Sequence, residues 1–208
     1  MARGLFITFE GGEGTGKTTQ LAKLAAALRK EGIDVLCTRE PGGSPEAETI
    51  RNELVSGDAG RWSPLAEALL MNAARDSHLR NTIRPALERG TTVICDRFVD
   101  STRAYQGAAG GVDMKLIHAL EKSVVGPTMP DLTLIFDLDP KVGLARAKAS
   151  EDRFERKGAE FHLRLADAYR EIARAEPVRC HLIDASAPPD AVSAAIMKII
   201  LPLIRSAQ

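Results

Sequence analysis

The sequence predicts an α/β fold in which a five-stranded parallel sheet is flanked by helices. Two observations lead to this prediction. Short apolar runs alternate with segments of helical periodicity along the chain, and such alternation favours a parallel sheet. The apolar runs are also nearly continuous, which is typical of strands buried on both sides. The predicted strands are 5–9, 35–38, 92–96, 132–137 and 180–184.

Helical periodicity follows each predicted strand. In the last helix Val192, Ile196 and Ile200 recur at helical spacing, so one face packs on the core. Pro202 should bend or end that helix. The apolar stretch 65–71 fits either buried core or the face of a dimer contact. The predicted helices are 18–30, 45–56, 64–88, 114–124, 140–149, 161–175 and 190–204.

Composition limits the class of protein. The 208 residues suit one domain or one domain with a small lid. Lys and Arg number 28 and balance 28 Asp and Glu, so the bulk charge predicts neither a nucleic-acid nor a membrane partner. Cys37, Cys95 and Cys180 lie in strand-like stretches without metal-type spacing, and we expect them to be reduced core residues. Nothing resembles a signal peptide or a membrane span, so we expect a cytoplasmic protein.

A glycine-rich loop stands between the first predicted strand and the first predicted helix. Its spacing is the phosphate-loop pattern, and the strand–loop–helix context predicts a P-loop NTPase fold. Glycines let backbone N–H groups curl around phosphate oxygens, and the helix N-terminus adds donors. Lys17 would reach the β- and γ-phosphates, and the Thr18 hydroxyl would hold Mg²⁺. The loop residues are Gly11, Gly12, Glu13, Gly14, Thr15, Gly16, Lys17 and Thr18.

Acidic residues end several of the predicted strands, at the edge where ligands bind in open parallel sheets. Asp96 ends the third strand, and an acidic residue in that place can hold Mg²⁺ through water in phosphate-loop enzymes. For Asp139 and Asp184 the favoured interpretation is a helix N-cap.

Further motifs narrow the reaction. They are Arg-Glu-Pro-Gly-Gly at 39–43, Ile-Arg at 50–51, Ala-Ala-Arg at 73–75 and the run from Asp-Arg-Phe to Tyr-Gln-Gly at 96–107. With these motifs the chain closely resembles the thymidylate kinase family over nearly its whole length. The resemblance implies phosphorylation of dTMP to dTDP by ATP in dTTP synthesis, with Mg²⁺ as cofactor. It also implies a homodimer, and we expect no nucleic-acid or membrane partner.

The resemblance assigns the acceptor site. Arg51 and Arg97 would grip the 5′-phosphate, because a guanidinium fork matches phosphate oxygens. Arg75 would reach the thymine carbonyl, and Gln106 would meet the base edge. The other acceptor residues are Glu40 and Pro41 in a strained turn with a cis bond as one option, Thr102 near the base and Tyr105 against the deoxyribose. For Arg89 and Arg103 we expect solvated charges or structural ion pairs.

The charged segment 146–158 is predicted to be either a solvated loop or a mobile lid of the single domain 1–208. A lid would bring a cation onto the transferred group and exclude water. Because the phosphate loop contains no arginine, the chain resembles the bacterial type, in which the lid supplies that cation. Arg153 is favoured, with Arg146 and Lys148 as rivals, and Arg146 could instead lie over the adenine. Glu13 would face the acceptor 3′-hydroxyl or a lid arginine.

Three positions depart from the family pattern. Met71 stands where a ring usually stacks on thymine, and Phe98 or another ring could compensate. Phe98 itself replaces a commoner tyrosine. The loop 108–111 lacks an arginine that is often present. These departures leave base selectivity, including tolerance of dUMP, more open than the reaction type.

Two alternative functions remain. The first is a kinase for another nucleoside monophosphate or a nucleoside, and the pair Arg51 and Arg97 argues for a phosphorylated acceptor. The second is a non-catalytic NTP-binding switch, which would not need an acceptor site. The charged lid and the arginines near Gln106 count against it.

Overall fold

The protein is described as a computed structural model that covers residues 3–58, 60–147, 154 and 156–207. Five strands form one sheet in the order β2–β3–β1–β4–β5, and every pair is parallel. In the register, Asp96 lies beside both Phe9 and Arg39, so the carboxyl ends of three strands meet at one edge. The strands are β1 (Phe6–Gly11), β2 (Val35–Arg39), β3 (Thr92–Asp96), β4 (Leu132–Asp137) and β5 (Cys180–Asp184).

Helices connect the strands and cover both faces of the sheet. The α-helices are α1 (Lys17–Lys30), α2 (Pro45–Val55), α3 (Pro64–His78), α4 (Arg84–Glu88), α5 (Val99–Thr102), α6 (Met114–Val124), α7 (Pro140–Arg146), α8 (Ala159–Ala175) and α9 (Pro189–Ala207). Two π-helical segments lie at Leu79–Ile83, between α3 and α4, and at Arg103–Ala108, after α5. None of the described helices is both long and apolar enough to cross a bilayer.

Alternation along β1 divides the core between the two faces. Ile7 and Phe9 pack in the cluster that α1 and α9 cover, whereas Phe6 packs with Phe98 in a cluster on the other side. Glu10 shares the parity of Phe6 and is fully buried. The second face therefore carries a carboxylate on the central strand.

The five-stranded parallel sheet flanked by helices is confirmed, but several details differ from the predictions. The predicted helix 64–88 is interrupted by a π-helical segment, and α7 ends at Arg146 rather than at 149. Pro202 lies inside α9 and does not end it. Helical structure at 99–108 was not predicted, because its polar residues lack a simple apolar stripe.

Two predictions about burial are wrong at the sheet edge. Cys37 is exposed rather than a core residue, although Cys95 and Cys180 are buried. β2 is an edge strand that pairs only with β3, and its side chains alternate between covered and open positions. β5, the opposite edge, is likewise partly exposed. Near-continuous hydrophobicity therefore indicated burial on both sides correctly only for the three inner strands.

Candidate active site

A cleft of about 520 Å³ opens at the carboxyl edge of the sheet. Phosphate-loop residues and predicted acceptor residues line it together. Gly11 and Gly12 are the only predicted residues of the described site outside its lining, and both carbonyls instead meet Lys17. The predicted residues that line the cleft are Glu13, Gly14, Thr15, Gly16, Lys17, Thr18, Glu40, Pro41, Arg51, Met71, Arg75, Asp96, Arg97, Thr102, Tyr105, Gln106 and Arg146.

The phosphate loop needs its glycines for conformation and for space. Gly16, immediately before α1, has a φ of 87°, in the left-handed region that favours glycine. Gly14 has a φ of 65°, and a Cβ there would lie 2.1 Å from the Gly143 carbonyl oxygen of α7. The loop is therefore seated against α7 through backbone contact, which leaves its N–H groups for a phosphate.

Lys17 is buried and folded back onto its own loop. Its Nζ donates to the Gly12 carbonyl at 2.6 Å and to the Gly11 carbonyl at 3.2 Å. Burial and the charge of Arg97 lower the pKa of Lys17 to about 8, while Glu13 and Asp96 act in the opposite direction. A phosphate anion in the loop would supply the counter-charge that these carbonyls only partly provide.

Glu13 links the loop to the acceptor side. Arg97 Nη2 donates to Glu13 Oε1 at 2.6 Å, and the Tyr105 hydroxyl donates to the same oxygen at 2.7 Å. Burial opposes ionisation, but the charges of Arg97 and Lys17 prevail and lower the pKa of Glu13 to about 2. The contact of Glu13 with Arg97 was not predicted. Its two predicted partners, the acceptor 3′-hydroxyl and a lid arginine, stay predictions.

Arg97 is held by its backbone as well as its side chain. Its φ of 71° makes it the one described non-glycine residue in the left-handed region. The guanidinium donates to the Gly11 carbonyl at 2.9 Å and lies 5.1 Å from the Tyr105 ring centre. Its pKa is raised well above the usual value, because the charge of Glu13 outweighs the effect of burial. This cation is thus fixed at the junction of the two halves of the cleft.

Sequence analysis missed Glu10, which supports the Arg97 turn. Glu10 accepts from the Phe98 backbone N–H at 2.7 Å, the Ser101 hydroxyl at 2.6 Å and the Tyr169 hydroxyl at 3.0 Å. Burial, followed by the charge of Asp100, raises the pKa of Glu10 to about 7. Glu10 directly follows the apolar run 5–9, and a carboxylate at the end of a buried strand was the signal that could have identified it.

Thr18 and Asp96 fit a divalent cation. Thr18 Oγ1 lies 3.4 Å from Asp96 Oδ2, and Asp96 Oδ1 is buried without a hydrogen-bond partner among the described residues. A buried oxygen without a donor is what a hard cation or its bound water would satisfy. The described chain has no cluster of three His, Cys, Asp or Glu side chains for a metal. The ion would therefore depend on nucleotide phosphates for much of its coordination.

Arg75 lies in a buried polar network on the acceptor side. It is 2% exposed, and its Nε donates to Glu40 Oε2 at 2.8 Å. Its Nη2 donates to Thr102 Oγ1 and to the Phe98 carbonyl, each at 3.0 Å. His78 Nδ1 lies 3.1 Å from the other Glu40 oxygen. Arg75 thus forms a structural ion pair with Glu40 and not with the adjacent Asp76, which pairs with Arg80.

The rest of the acceptor wall comes from the β2–α2 turn and from α3. A cis peptide bond joins Glu40 to Pro41, and Arg51 Nη1 donates to the Pro41 carbonyl at 2.7 Å. Met71 is partly buried and lines the cleft. The Phe98 ring is fully buried, edge-on to Phe6 at 4.9 Å. Phe98 therefore does not offer a ring face to a base, and the predicted compensation by its ring is wrong.

Gln106 is 1% exposed and held by a residue that the sequence analysis missed. Its Nε2 donates to Glu67 Oε2 at 2.8 Å. Lys157 Nζ lies 3.3 Å from both Glu67 oxygens. Glu67, Met71 and Arg75 recur every four residues and share one face of α3, a spacing that could have indicated Glu67.

The predicted lid 146–158 is only partly within the described residues. Arg153 and its rival Lys148 lie outside them. Arg146 is exposed, lines the cleft and donates weakly to the Ala185 carbonyl at 3.5 Å. At the other end, Phe154 packs edge-on to Tyr105, with ring centres 5.9 Å apart. Arg146 and Phe154 of this segment therefore both line the cleft.

Three predictions concern structural residues outside the cleft. Asp139 caps α7 by accepting from the Lys141 N–H at 2.8 Å, as predicted. Asp184 caps no helix, because it accepts from Ser186 in a turn and α9 begins only at Pro189. Arg103 is a structural residue as predicted, with contacts to Asp100, Glu121 and Glu176.

The fold and the cleft define a class. A phosphate loop after the central strand of a parallel sheet faces an arginine-lined acceptor wall, which is the arrangement of a P-loop phosphotransferase. The family model for thymidylate kinase matches residues 9–196. The thymidylate kinase of Caulobacter vibrioides is 58% identical over 203 residues, covering 97% of this chain and 98% of its own. That of Bradyrhizobium diazoefficiens is 53% identical over 196 residues, covering 92% and 86%.

A solved structure agrees with these sequence matches. The thymidylate kinase from Ehrlichia chaffeensis superposes with a TM-score of 0.79 at 38% identity, over 96% of this chain and 99% of the other. The chain belongs to the thymidylate kinase family.

Proposed function

We propose that this chain transfers the γ-phosphoryl group of ATP to dTMP, giving dTDP and ADP for dTTP synthesis, and that the residues of the cleft divide this work between them. The observation that carries the proposal is a cleft whose lining contains both Lys17 of the phosphate loop and Arg97 of the acceptor site. A kinase must hold two phosphorylated substrates end to end, and a continuous cleft with cations at its middle suits that task.

The transfer needs positioning more than covalent chemistry. An oxygen of the dTMP phosphate attacks the γ-phosphorus in line, and the bond from that phosphorus to the β-bridging oxygen breaks, leaving ADP. The attacking oxygen is already ionised at neutral pH, so no general base is required. Lys17 stabilises the moving group from the loop, and Arg97 holds the acceptor phosphate with Arg51. Glu13 keeps Arg97 aligned through the 2.6 Å contact.

Mg²⁺ is the cofactor that we propose for the donor side. Thr18 and, through water, Asp96 would hold it, and the support for this is the buried Asp96 Oδ1, which has no hydrogen-bond partner among the described residues. When bound, the ion neutralises charge on the β- and γ-phosphates. The chain's own part is to present these two oxygens at the loop and to keep Lys17 beside them.

The base site is proposed to recognise thymine. Arg75 would donate to a thymine carbonyl from a guanidinium that Glu40 and Thr102 already hold in place. Gln106 would meet the base edge, Met71 would lie on its face, and Tyr105 would lie against the deoxyribose. The pairing of Arg75 inside the protein makes its direction fixed before the substrate arrives, which reduces the entropy lost on binding.

The larger organisation is also proposed. Residues 1–208 form one nucleoside monophosphate kinase domain, and 146–158 act as a lid that closes over ATP with Arg153 on the transferred group and Arg146 near the adenine. The partner is a second copy of the chain, bound through α3 and α6, where Leu65, Leu69 and Leu116 are 44%, 49% and 38% exposed. The three cysteines form no disulfide, which suits a cytoplasmic enzyme. We expect no nucleic-acid or membrane partner.

The test is a panel of acceptors. ADP formation from ATP and Mg²⁺ is measured with dTMP, dUMP, dCMP, dGMP, UMP, CMP, AMP and GMP offered separately. We expect strong turnover with dTMP and weaker turnover with dUMP. Preference for another monophosphate would keep the reaction and overturn the assignment of the base site. Absence of turnover with every acceptor, in folded protein that binds ATP, would favour the non-catalytic switch.

A further inference from the structure

Glu67 is a buried carboxylate that the phosphoryl transfer does not use. It is 1% exposed and lies on α3, whose face it shares with Met71 and Arg75. Burying a carboxylate costs free energy unless it is paired and hydrogen-bonded. Since Glu67 lies beside the proposed base site, we ask which group of that site it positions.

The contact with Gln106 fixes the orientation of an amide. Glu67 is paired with Lys157, and a carboxylate in an ion pair accepts hydrogen bonds, so the Gln106 atom 2.8 Å from Glu67 Oε2 is the donor Nε2. The reversed amide would set its carbonyl oxygen against that carboxylate, and both groups are shielded from water. Gln106 therefore keeps Oε1 and one N–H for a ligand in the cleft, whose wall it helps to form.

Lys157 is the counter-ion of Glu67. Its ammonium lies 3.3 Å from each Glu67 oxygen and 4.6 Å from the Phe161 ring centre. The ring faces attract the cation and shelter it from water. Since Lys157 lies at the C-terminal end of the segment 146–158, this ion pair also joins that segment to the base site.

We propose that Glu67, with Lys157 as its counter-ion, is a positioning residue that aims Gln106 Oε1 at the N3–H of thymine and thereby excludes cytosine. The proposal rests on the assignment of Gln106 to the base edge. Thymine and uracil carry a hydrogen on N3, whereas N3 of cytosine is an acceptor. A carbonyl oxygen held in this orientation accepts a hydrogen bond from N3–H of thymine or uracil and repels the N3 lone pair of cytosine.

The test replaces Glu67 by glutamine. In Glu67→Gln the new amide can donate or accept, so Gln106 is free to present either end to the base. We expect the KM for dTMP to rise roughly tenfold with kcat within about twofold, because one oriented hydrogen bond is lost. We also expect the ratio of kcat/KM for dTMP to that for dCMP to fall by about tenfold, since cytosine can then be accepted.

A matched control changes a neighbouring carboxylate. Glu160→Gln removes an exposed partner of Arg164 on α8, where the Glu160 side chain is 84% exposed, and it should leave both constants and the ratio unchanged. The double variant Glu67→Gln/Lys157→Met removes both members of this ion pair together. It serves if the single change prevents folding, as judged by thermal unfolding, and it should show the same fall in the ratio.

The outcomes separate this proposal from the function itself. If the unsubstituted enzyme does not phosphorylate dTMP, the proposed function fails. If it does, and a folded Glu67 variant retains the original dTMP to dCMP ratio, the positioning role is overturned. If neither variant folds, Glu67 has a purely structural role, which also overturns the proposal. A fall in the ratio at nearly constant kcat supports it, since a merely loosened fold would not favour cytosine.

Discussion

The two halves of the cleft are built differently. The donor half is one contiguous segment, 11–18, in which backbone N–H groups and Lys17 do most of the work. The acceptor half joins residues far apart in sequence, such as Arg75 with Glu40, 35 positions away, and Gln106 with Glu67, 39 positions away. The first half is a local conformation, whereas the second exists only after the chain has folded.

Their charges differ in the same way. Among the described residues, only the loop carbonyls and, at 3.4 Å, the Thr15 hydroxyl lie within hydrogen-bonding distance of Lys17 Nζ. Burial and the charge of Arg97 lower the pKa of Lys17. Arg75 is neutralised inside the protein by Glu40. The donor half is therefore completed by its ligand, and the acceptor half is completed before the ligand binds. Substitutions should damage activity in the first half, and stability as well as activity in the second.

The largest effect is expected from Lys17→Ala. Removing the cation should lower kcat about 10³-fold, or roughly 4 kcal/mol, because charge on the transferred group loses its fixed partner. Stability should change little, since Lys17 makes no ion pair within 4 Å in the described chain. Steady-state ADP release and urea unfolding measure the two quantities. The control is Lys23→Ala on the same helix, whose pair with Asp190 is exposed. Near-normal kcat in folded Lys17→Ala protein would contradict the expectation that substitutions in the donor half damage activity.

Arg75→Met should act on stability and activity together. It leaves Glu40 buried with His78 as its one remaining ion-pair partner among the described residues, and breaking a buried pair by removing one partner costs about 3 kcal/mol. The KM for dTMP should rise as well. The matched control, Arg80→Met, breaks the exposed pair with Asp76 on the same stretch of helix and should cost less than about 1 kcal/mol. Equal unfolding free energies for the two variants would show that the acceptor network is not completed internally.

Glu10 lies at the junction of the halves and should give the folded state a pH dependence. Its pKa is raised by burial from 4.5 to about 7. As pH rises from 4.5 towards 7, the unfolded chain loses this proton before the folded chain does, so the folded state is destabilised. The free energy of unfolding should fall by up to roughly 3 kcal/mol relative to Glu10→Gln between pH 5 and pH 8.

Urea unfolding at several pH values measures that difference. Glu88→Gln, a change at an exposed carboxylate, should follow the unsubstituted protein at every pH. A stability that rises with pH relative to Glu10→Gln would mean that the hydrogen bonds from Phe98, Ser101 and Tyr169 outweigh burial and hold Glu10 ionised.

The same contrast explains what the sequence could predict. The donor half could be predicted from the spacing of its residues, because a phosphate loop is a local conformation. The succession of strands and helices along the chain could be predicted from the periodicity of apolar residues. The acceptor residues were located by resemblance, yet their partners were not, as the unpredicted contact of Glu13 with Arg97 illustrates. Glu10 and Glu67 were not predicted, because the burial and the hydrogen-bond partners of a carboxylate depend on residues that are distant in the sequence. The exposure of Cys37 likewise depends on β2 being an edge strand, which the order of strands along the chain does not reveal.

The smallest effect, expected from Met71→Phe, would sharpen the acceptor half. Met71 is partly buried on the α3 face that carries Glu67 and Arg75, and it lines the cleft. A rigid ring there should stack on thymine better than a flexible thioether and lower the KM for dTMP about threefold at constant kcat. Met71→Leu keeps the volume without a ring or sulfur, and its KM should not fall. An unchanged or higher KM for folded Met71→Phe would place the base away from the Met71 side chain, and recognition of the base would then rest on Arg75 and Gln106.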